Sequence, residues 1–194
     1  MSRPALNSGE LVWSGEHWIN VIKPPGAEAP SARFSLYHTR YSEAGEGNTL
    51  HLVIPAAGIN LVCTDNPRVG EWINSRFLKM GTVPSPDAPI VKADFQRQGS
   101  THDSPRWVVE TEGHRIVAGW SVKEPPVIAY GPLSEGFEFF TLLLFSDETT
   151  VELDGSPIPG TPFAIDAWRD SIGGDRSSCV FALAETMIQS DARE

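Results

Sequence analysis

The chain has 194 residues, 40% of them hydrophobic, and its 25 acidic and 15 basic side chains give a formal net charge of −10. A field of this sign repels phosphate backbones, so neither nucleic acid nor an anionic membrane surface is expected as a partner. This length suits a single domain with a substantial core. We therefore expect residues 1–194 to form one β-barrel-like domain.

No targeting or membrane segment is expected. The N-terminal stretch MSRPALNSGELVW lacks the apolar run of a signal peptide, and no segment approaches the ~20 apolar residues of a membrane span. Cys63 and Cys179 lie far apart in apolar segments and are most simply free, buried thiols. These observations predict a cytoplasmic protein.

The first half of the chain reads as short strands followed by one helix. Alternating apolar and polar residues, interrupted by glycine and proline, predict strands at Leu11–Ile22, Arg33–Tyr41, Thr49–Ile54 and Ile59–Thr64. A one-sided apolar stripe predicts a helix over Glu71–Met80, which ends at Gly81. This helix is too short to stand alone and must pack on the sheet.

The second half is organised around a central hairpin. Two extended runs, Trp107–Thr111 and His114–Trp120, flank the turn pair Glu112-Gly113. Further strands are predicted at Ile90–Arg97, Phe137–Phe145, Val151–Leu153 and Phe163–Trp168, and over the first part of Ser178–Ile188. Beyond Ala184 a helix stays open as an alternative, because Ala182–Met187 has helical propensity.

These elements predict an all-β fold with about ten short strands and one short helix, arranged as an antiparallel barrel or a two-sheet sandwich. The basic hairpin GHRIVAGW followed by the bulky apolar strand FEFFTLLLF resembles a lipocalin-type (calycin) barrel. The resemblance implies a barrel that holds an apolar ligand, and a few lipocalin-like relatives hydrate or cyclise isoprenoids. It is a resemblance of architecture and carries no functional residue.

Common cofactor and metal motifs are missing from the sequence. There is no GxxxxGK[ST] phosphate loop, no GxGxxG, no GxSxG, and no CxxC, HExxH or His-x-His. We therefore expect no cofactor and no metal ion.

Histidines are the first candidates for acid–base chemistry. His17, His38 and His51 lie in predicted strands, and an enclosed sheet could bring them to one site. The simpler interpretation is a half-buried histidine bonded to backbone. His38 is singled out because it shares a face with Phe34 and Leu36. His114 follows the central turn, where it is either a solvated hairpin end or an acid or base at a barrel mouth.

Two carboxylates complete the candidate catalytic set. Asp166 in FAIDAW and Glu185 in FALAE have apolar neighbours, and burial would raise the pKa of either group as a general acid requires. The alternative is a carboxylate at a sheet edge that faces water.

Aromatic residues are the candidates for ligand contact. The chain has six tryptophans, and Trp and Tyr line small-molecule pockets, although core filling is the simpler interpretation for most of the six. The predicted ligand-binding side chains are Trp18, Trp120, Trp168, Phe139 and Tyr37.

The leading function hypothesis is binding of a small, largely apolar molecule in a cavity enclosed by the sheet. The alternative is a cofactor-independent hydratase, isomerase or hydrolase that uses a strand histidine and a buried carboxylate. Two further hypotheses rank lower: a metal-dependent, cupin-like site formed by strand histidines, and a subunit-interface role in a homodimer.

Overall fold

The computed structural model describes residues 9–77, 88–122, 124–134, 136–166, 168, 170 and 173–190. The strands of the first half are β1 (Gly9–Ile22), β2 (Ala32–Ser42), β3 (Gly47–Ile54), β4 (Ile59–Thr64), β5 (Ile90–Gln98) and β6 (Arg106–Thr111). Those of the second half are β7 (Arg115–Val122), β8 (Val127–Ser134), β9 (Phe137–Leu153), β10 (Ser156–Pro157) and β11 (Cys179–Ser190). Helix α1 (Pro67–Phe77) lies between β4 and β5, and a 3₁₀ turn (Pro55–Ala57) joins β3 to β4.

The eleven strands form one mixed sheet that closes into a ring. Around the ring the order is β9, β11, β1, β2, β3, β4, β5, β6, β7 and back to β9. Strand β9 makes the closure possible because it is 17 residues long: its first half pairs with β11 and β8, and its second half with β7. All pairs are antiparallel except β4 with β5, because α1 lies in the connection between those two strands.

Interlocking aromatic rings fill the interior of the ring. Trp18 stacks on Phe181 at 4.2 Å between ring centroids, and it meets Trp107 and Trp120 edge-on at 6.0 and 5.2 Å. All four side chains are buried, and the surrounding core comes from the inward-facing residues of the ring strands. Burial of such large apolar surfaces is the main stabilising contribution to the closed ring.

The outer face of the sheet carries two smaller apolar clusters. Helix α1 presents Val69, Trp72 and Ile73, which follow a spacing of three and four residues, to Trp13 and Tyr37 on the sheet. On the other side, apolar side chains of β9 and β11 form a cluster that Trp168 partly covers. The surface between these clusters is therefore partly enclosed.

Helix α1 begins four residues before the predicted start at Glu71. Asn66 caps it, because its Oδ1 accepts a hydrogen bond of 3.2 Å from the backbone amide of Arg68. Pro67 then occupies the first helical position, where its missing N–H costs nothing. The stretch predicted as the loop DNPRVG is therefore helical from Pro67 onward, and residues 78–80 of the predicted helix lie outside the described residues.

One prediction near the C-terminus is wrong, and one alternative left open there is excluded. The described residues of the predicted strand Phe163–Trp168 form no strand: Ala164 makes one isolated bridge to Ser177, and Asp166 and Trp168 have helical backbone conformation. The helix considered beyond Ala184 is also absent, because β11 continues to Ser190. Strand β11 pairs with β1 on one side and β9 on the other, and these ladders override the local helical propensity.

The predicted all-β class with one short helix is confirmed. Cys63 and Cys179 are both free and buried, as expected. Across the described part of the chain, no helix has the length and apolar character needed to cross a membrane.

Candidate functional site

A group of polar side chains lies on the outer face of β1, β2 and β3. The period of two sends Trp18, Phe34 and Leu50 into the ring, so their neighbours in sequence point outward. The outward set is His17 on β1, Ser35 and Tyr37 on β2, and His51 on β3. All four are buried, since their exposed fractions lie between 0 and 9%.

His17 connects a hydroxyl group to a carboxyl group. Its Nε2 lies 2.7 Å from Ser35 Oγ, a hydrogen-bond distance. Its Nδ1 faces Glu185 Oε1 of β11 at 4.0 Å, and Glu185 accepts a hydrogen bond of 3.4 Å from Thr141 on β9. Serine, histidine and acid thus follow one another in the order used for nucleophilic catalysis.

Tyr37 forms an aromatic layer between the two histidines. Its ring stacks on His17 at 4.1 Å with planes 17° apart, and it meets His51 edge-on at 5.8 Å. Ser35 is the residue of β2 paired with His51 of β3, so the His51 ring stands beside the hydroxyl that His17 contacts.

Burial disfavours the charged form of each ionisable group in this cluster. Desolvation, together with the smaller effect of the neighbouring His51, lowers the pKa of His17 to about 3. Burial also lowers the pKa of His51 to about 4. It raises the pKa of Glu185 to about 7, against the opposing effect of the hydrogen bond from Thr141. At neutral pH His17 is an unprotonated imidazole, and Glu185 is poised to exchange a proton.

Irregularities in two adjacent strands bring His17 and Glu185 together. In β1 the pairing with β11 shifts between Gly15 and His17. In β11 the pairing with β9 shifts between Leu183 and Thr186, and Ala184 there has a φ of 53°. Such bulges redirect side chains, and here they turn Glu185 toward His17.

Of the four predicted catalytic residues, only Glu185 belongs to this cluster. His38 lies on the inner face, where its Nδ1 is 2.7 Å from Asn48 Oδ1. His114 stands at the end of the central hairpin with Nδ1 2.9 Å from Asp154 Oδ2. Asp166 is exposed in the segment that follows the Ala164 bridge.

The predicted ligand-binding residues are distributed over three places. Trp18 and Trp120 belong to the central core, where their indole N–H groups donate to Glu16 and to the Ile19 carbonyl. Phe139 and Trp168 lie in the outer cluster on β9 and β11. Of this set, Tyr37 alone belongs to the polar cluster.

An open cleft of about 850 Å³ lies at one end of the ring, beside the central hairpin. Its apolar lining comes from Leu61, Val91 and Ala93, and His114 stands on its rim. The Arg115 amide and the His114 ring both hydrogen-bond to Asp154, and these bonds lower the pKa of that carboxyl. Asp154 therefore holds the His114 ring in a defined orientation.

Sequence reasoning assigned no role to Ser35, and it did not pair His17 with Glu185. The alternation in ARFSLYHTRYS does place Ser35 and Tyr37 on the face opposite Phe34 and Leu36. That pattern identifies polar residues on a shared face, but it carries no information about which strands lie side by side.

Comparison with models of protein families, with curated proteins and with solved structures found no match. Among the residues that the structure describes, no three histidine, cysteine, aspartate or glutamate side chains converge closely enough to hold a metal ion. We therefore infer the chemistry of the polar cluster from its own side chains.

Proposed function

We propose that the protein is a cofactor-independent hydrolase that cleaves a small ester with a largely apolar body. The observation that carries this proposal is the 2.7 Å contact between Ser35 Oγ and His17 Nε2, with Glu185 facing the other ring nitrogen. A serine hydroxyl is a weak nucleophile until an adjacent base accepts its proton, and a neutral histidine is the usual base.

The reaction follows from the positions of these groups. With the proton of His17 on Nδ1, Nε2 accepts the Ser35 proton while Oγ bonds to the ester carbon. His17 then gives that proton to the alcohol oxygen as its bond to the acyl carbon breaks. Water attacks the acyl–serine in the same way: His17 takes one proton from the water, and Ser35 recovers a proton when the acid leaves. Ionised Glu185 stabilises the imidazolium that forms in each step.

The surroundings of the cluster favour an apolar substrate. Met187 and Trp72 lie in the outer cluster on one side, and Ile19 and Phe139 in the cluster on the other. A buried site with apolar flanks removes water from the reacting groups and accommodates hydrocarbon surface.

The proposal is tested with two measurements on the purified chain. A fluorophosphonate ester, which bonds to activated serines with loss of fluoride, is expected to label Ser35, as located by peptide mass spectrometry. Ser35→Ala is expected to lose the label and at least ~10³-fold of any hydrolysis of p-nitrophenyl esters. The matched control Ser104→Ala changes an exposed serine and should retain both. Unchanged ester hydrolysis by Ser35→Ala would refute the proposal.

A second candidate function is the binding of a small, largely apolar molecule without chemistry. The open cleft supports it, because Leu61, Val91 and Ala93 offer apolar surface to a ligand. The other lining residues, which include Lys92, Asp94, Glu110 and Glu112, are mostly polar or charged. His114, held by Asp154, would supply a hydrogen bond at the rim.

A neutral fluorescent probe distinguishes this second function. N-phenyl-1-naphthylamine should bind the wild-type chain with enhanced emission, and Val91→Lys should weaken binding by at least ~10-fold because it buries a charge in the cleft. Ile90→Lys is the matched control, since Ile90 is 37% exposed and lies outside the cleft lining. Equal binding by the two variants would exclude the cleft as the site.

The resemblance to lipocalins, the cytoplasmic location and the homodimer all stay predictions. Native mass spectrometry of the purified chain measures the oligomeric state directly. It would also detect a small molecule that remains bound through purification.

A further inference from the structure

His51 is a buried imidazole whose ring nitrogens have no partner among the residues that the structure describes. It is 1% exposed, and neither Nδ1 nor Nε2 has a hydrogen-bond partner in that part of the chain. Buried polar groups in folded proteins are almost always hydrogen-bonded, because an unmade bond costs the desolvation of the group. A histidine in this condition therefore requires an explanation that packing alone does not supply.

His51 lies directly across from the proposed nucleophile, Ser35, on the neighbouring strand. It is the cross-strand partner of Ser35, and on the same face of an antiparallel pair such partners have Cβ atoms about 4.5–5.5 Å apart. Its ring also meets Tyr37 edge-on, at 5.8 Å between ring centroids, so both contacts place His51 in the polar cluster.

His51 is also in the protonation state that can donate a hydrogen bond. Burial lowers its pKa to about 4, so the ring is neutral at neutral pH and carries one N–H and one bare nitrogen. A neutral imidazole that polarises a carbonyl is an established way to stabilise an oxyanion.

We infer that His51 donates its N–H to the carbonyl oxygen of the substrate as Ser35 attacks. The inference rests on the proposed hydrolase function. When Oγ bonds to the carbonyl carbon, the π electron pair moves onto that oxygen, which becomes negative and accepts the bond from His51. When the leaving alcohol departs, the pair returns and the bond weakens.

This arrangement also narrows the substrate class. One neutral N–H matches the single carbonyl oxygen of an ester or thioester, whose charge appears only in the transition state. Ligands that are anionic before reaction, such as phosphate monoesters, are bound by proteins through arginine, lysine or metal ions instead. The expected substrates are therefore uncharged at the scissile group.

The test compares labelling rates of Ser35 by a fluorophosphonate ester, in which the phosphoryl oxygen takes the place of the carbonyl oxygen. His51→Phe keeps the ring volume and removes the donor, and it should slow labelling by at least ~10²-fold. His51→Gln restores an N–H donor and should recover much of the rate. The melting temperature of His51→Phe should not fall in parallel, because the substitution removes an unsatisfied polar group.

The outcomes of this test distinguish the proposed hydrolase function from the proposed role of His51. If the wild-type chain is not labelled at Ser35, the proposed function fails, and the role of His51 fails with it. If the wild-type chain is labelled and His51→Phe reacts at the same rate, only the role of His51 is overturned. If His51→Phe does not fold, His51→Leu and His51→Gln give the same comparison of a variant without a donor and a variant with one. Equal rates in that pair likewise overturn the inference.

Discussion

Glu185 is the residue whose environment departs furthest from that of an ordinary carboxylate. Its side chain is 17% exposed, and His17 Nδ1 lies 4.0 Å from its Oε1. Burial without a close cation favours the protonated acid, which is why its pKa is raised to about 7. A proton at this position is therefore lost within the physiological range.

The ionisation of Glu185 predicts a pH dependence of Ser35 reactivity. The labelling rate should rise as the pH increases through about 7, because the carboxylate stabilises the His17 imidazolium that forms. His17 itself, with a pKa of about 3, stays unprotonated over this range. Glu185→Gln should flatten the profile and lower the rate by about 10–100-fold, whereas Glu71→Gln on the exposed face of α1 should leave it unchanged. A profile in Glu185→Gln that still rises through pH 7 would assign the titration to another group.

The same buried groups predict how stability varies with pH. Between about pH 4.5 and 6.5 the unfolded chain binds a proton on each of His17 and His51, whereas the folded chain binds one on Glu185 instead. The unfolded state thus binds more protons at these sites, so their contribution to folding stability increases as the pH rises through this window.

Urea unfolding at pH 5 and pH 7 measures this effect. The wild-type chain should gain stability on going from pH 5 to pH 7, and the double variant His17→Gln, His51→Gln should gain less. His102→Gln changes an exposed histidine and should behave as the wild type. The same gain in all three proteins would mean that the two buried histidines titrate normally.

At the scale of single elements, the site depends on distortions of regular strands. β1 and β11 both shift register where His17 and Glu185 lie. Gly15 lies at two of these shifts, since β1 shifts against β2 between Ser14 and Gly15 and against β11 between Gly15 and His17. A Cβ at Gly15 would overlap the carbonyl oxygen of His38 and approach Trp13 Cζ2 within 2.9 Å. Glycine is required at this position because of close approach and not because of a left-handed backbone.

Gly15→Ala therefore tests the connection between this irregular stretch and the site. The added methyl group should destabilise the fold by about 1–3 kcal/mol, because it forces β1 away from β2. It should also slow Ser35 labelling, since His17 is two residues away. Gly113→Ala is the control: a Cβ there meets no atom within 4 Å, so urea unfolding should show a change below about 0.5 kcal/mol.

Local sequence patterns predicted which helices and strands form better than they predicted where each one begins and ends. The hairpin around Glu112-Gly113 forms as expected, because turn chemistry acts over a few residues. Helix α1 begins earlier than its apolar stripe, because the Asn66 cap and Pro67 determine its start. The FAIDAW segment has a strand-like composition, yet among its described residues only Ala164 has a bridging partner.

At the scale of the whole molecule, closure of the ring places its aromatic residues at the centre. Trp18 of β1, Trp107 of β6, Trp120 of β7 and Phe181 of β11 come from distant parts of the chain and meet in one cluster. Because each contact joins a different pair of strands, loss of one ring weakens several strand contacts at once.

Trp18→Ala should accordingly destabilise the protein by about 3–5 kcal/mol, since it leaves a large cavity among well-packed rings. Tyr130→Ala is the matched control, because Tyr130 is 79% exposed and its loss should cost about 0.5 kcal/mol or less. Urea unfolding followed by circular dichroism measures both. Similar values for the two variants would mean that the aromatic cluster is not the centre of stability.

The sequence by itself determined the all-β class, the short helix and the shared face of Phe34, Leu36 and His38. These properties follow from a period of two and from turn residues, which act locally. Only the tertiary structure decided that Ser35, His17 and Glu185 meet, because their contact depends on which strands are neighbours and on bulges at Gly15 and Ala184. Register between strands more than a hundred residues apart is set by packing of the closed ring, and no local pattern encodes it.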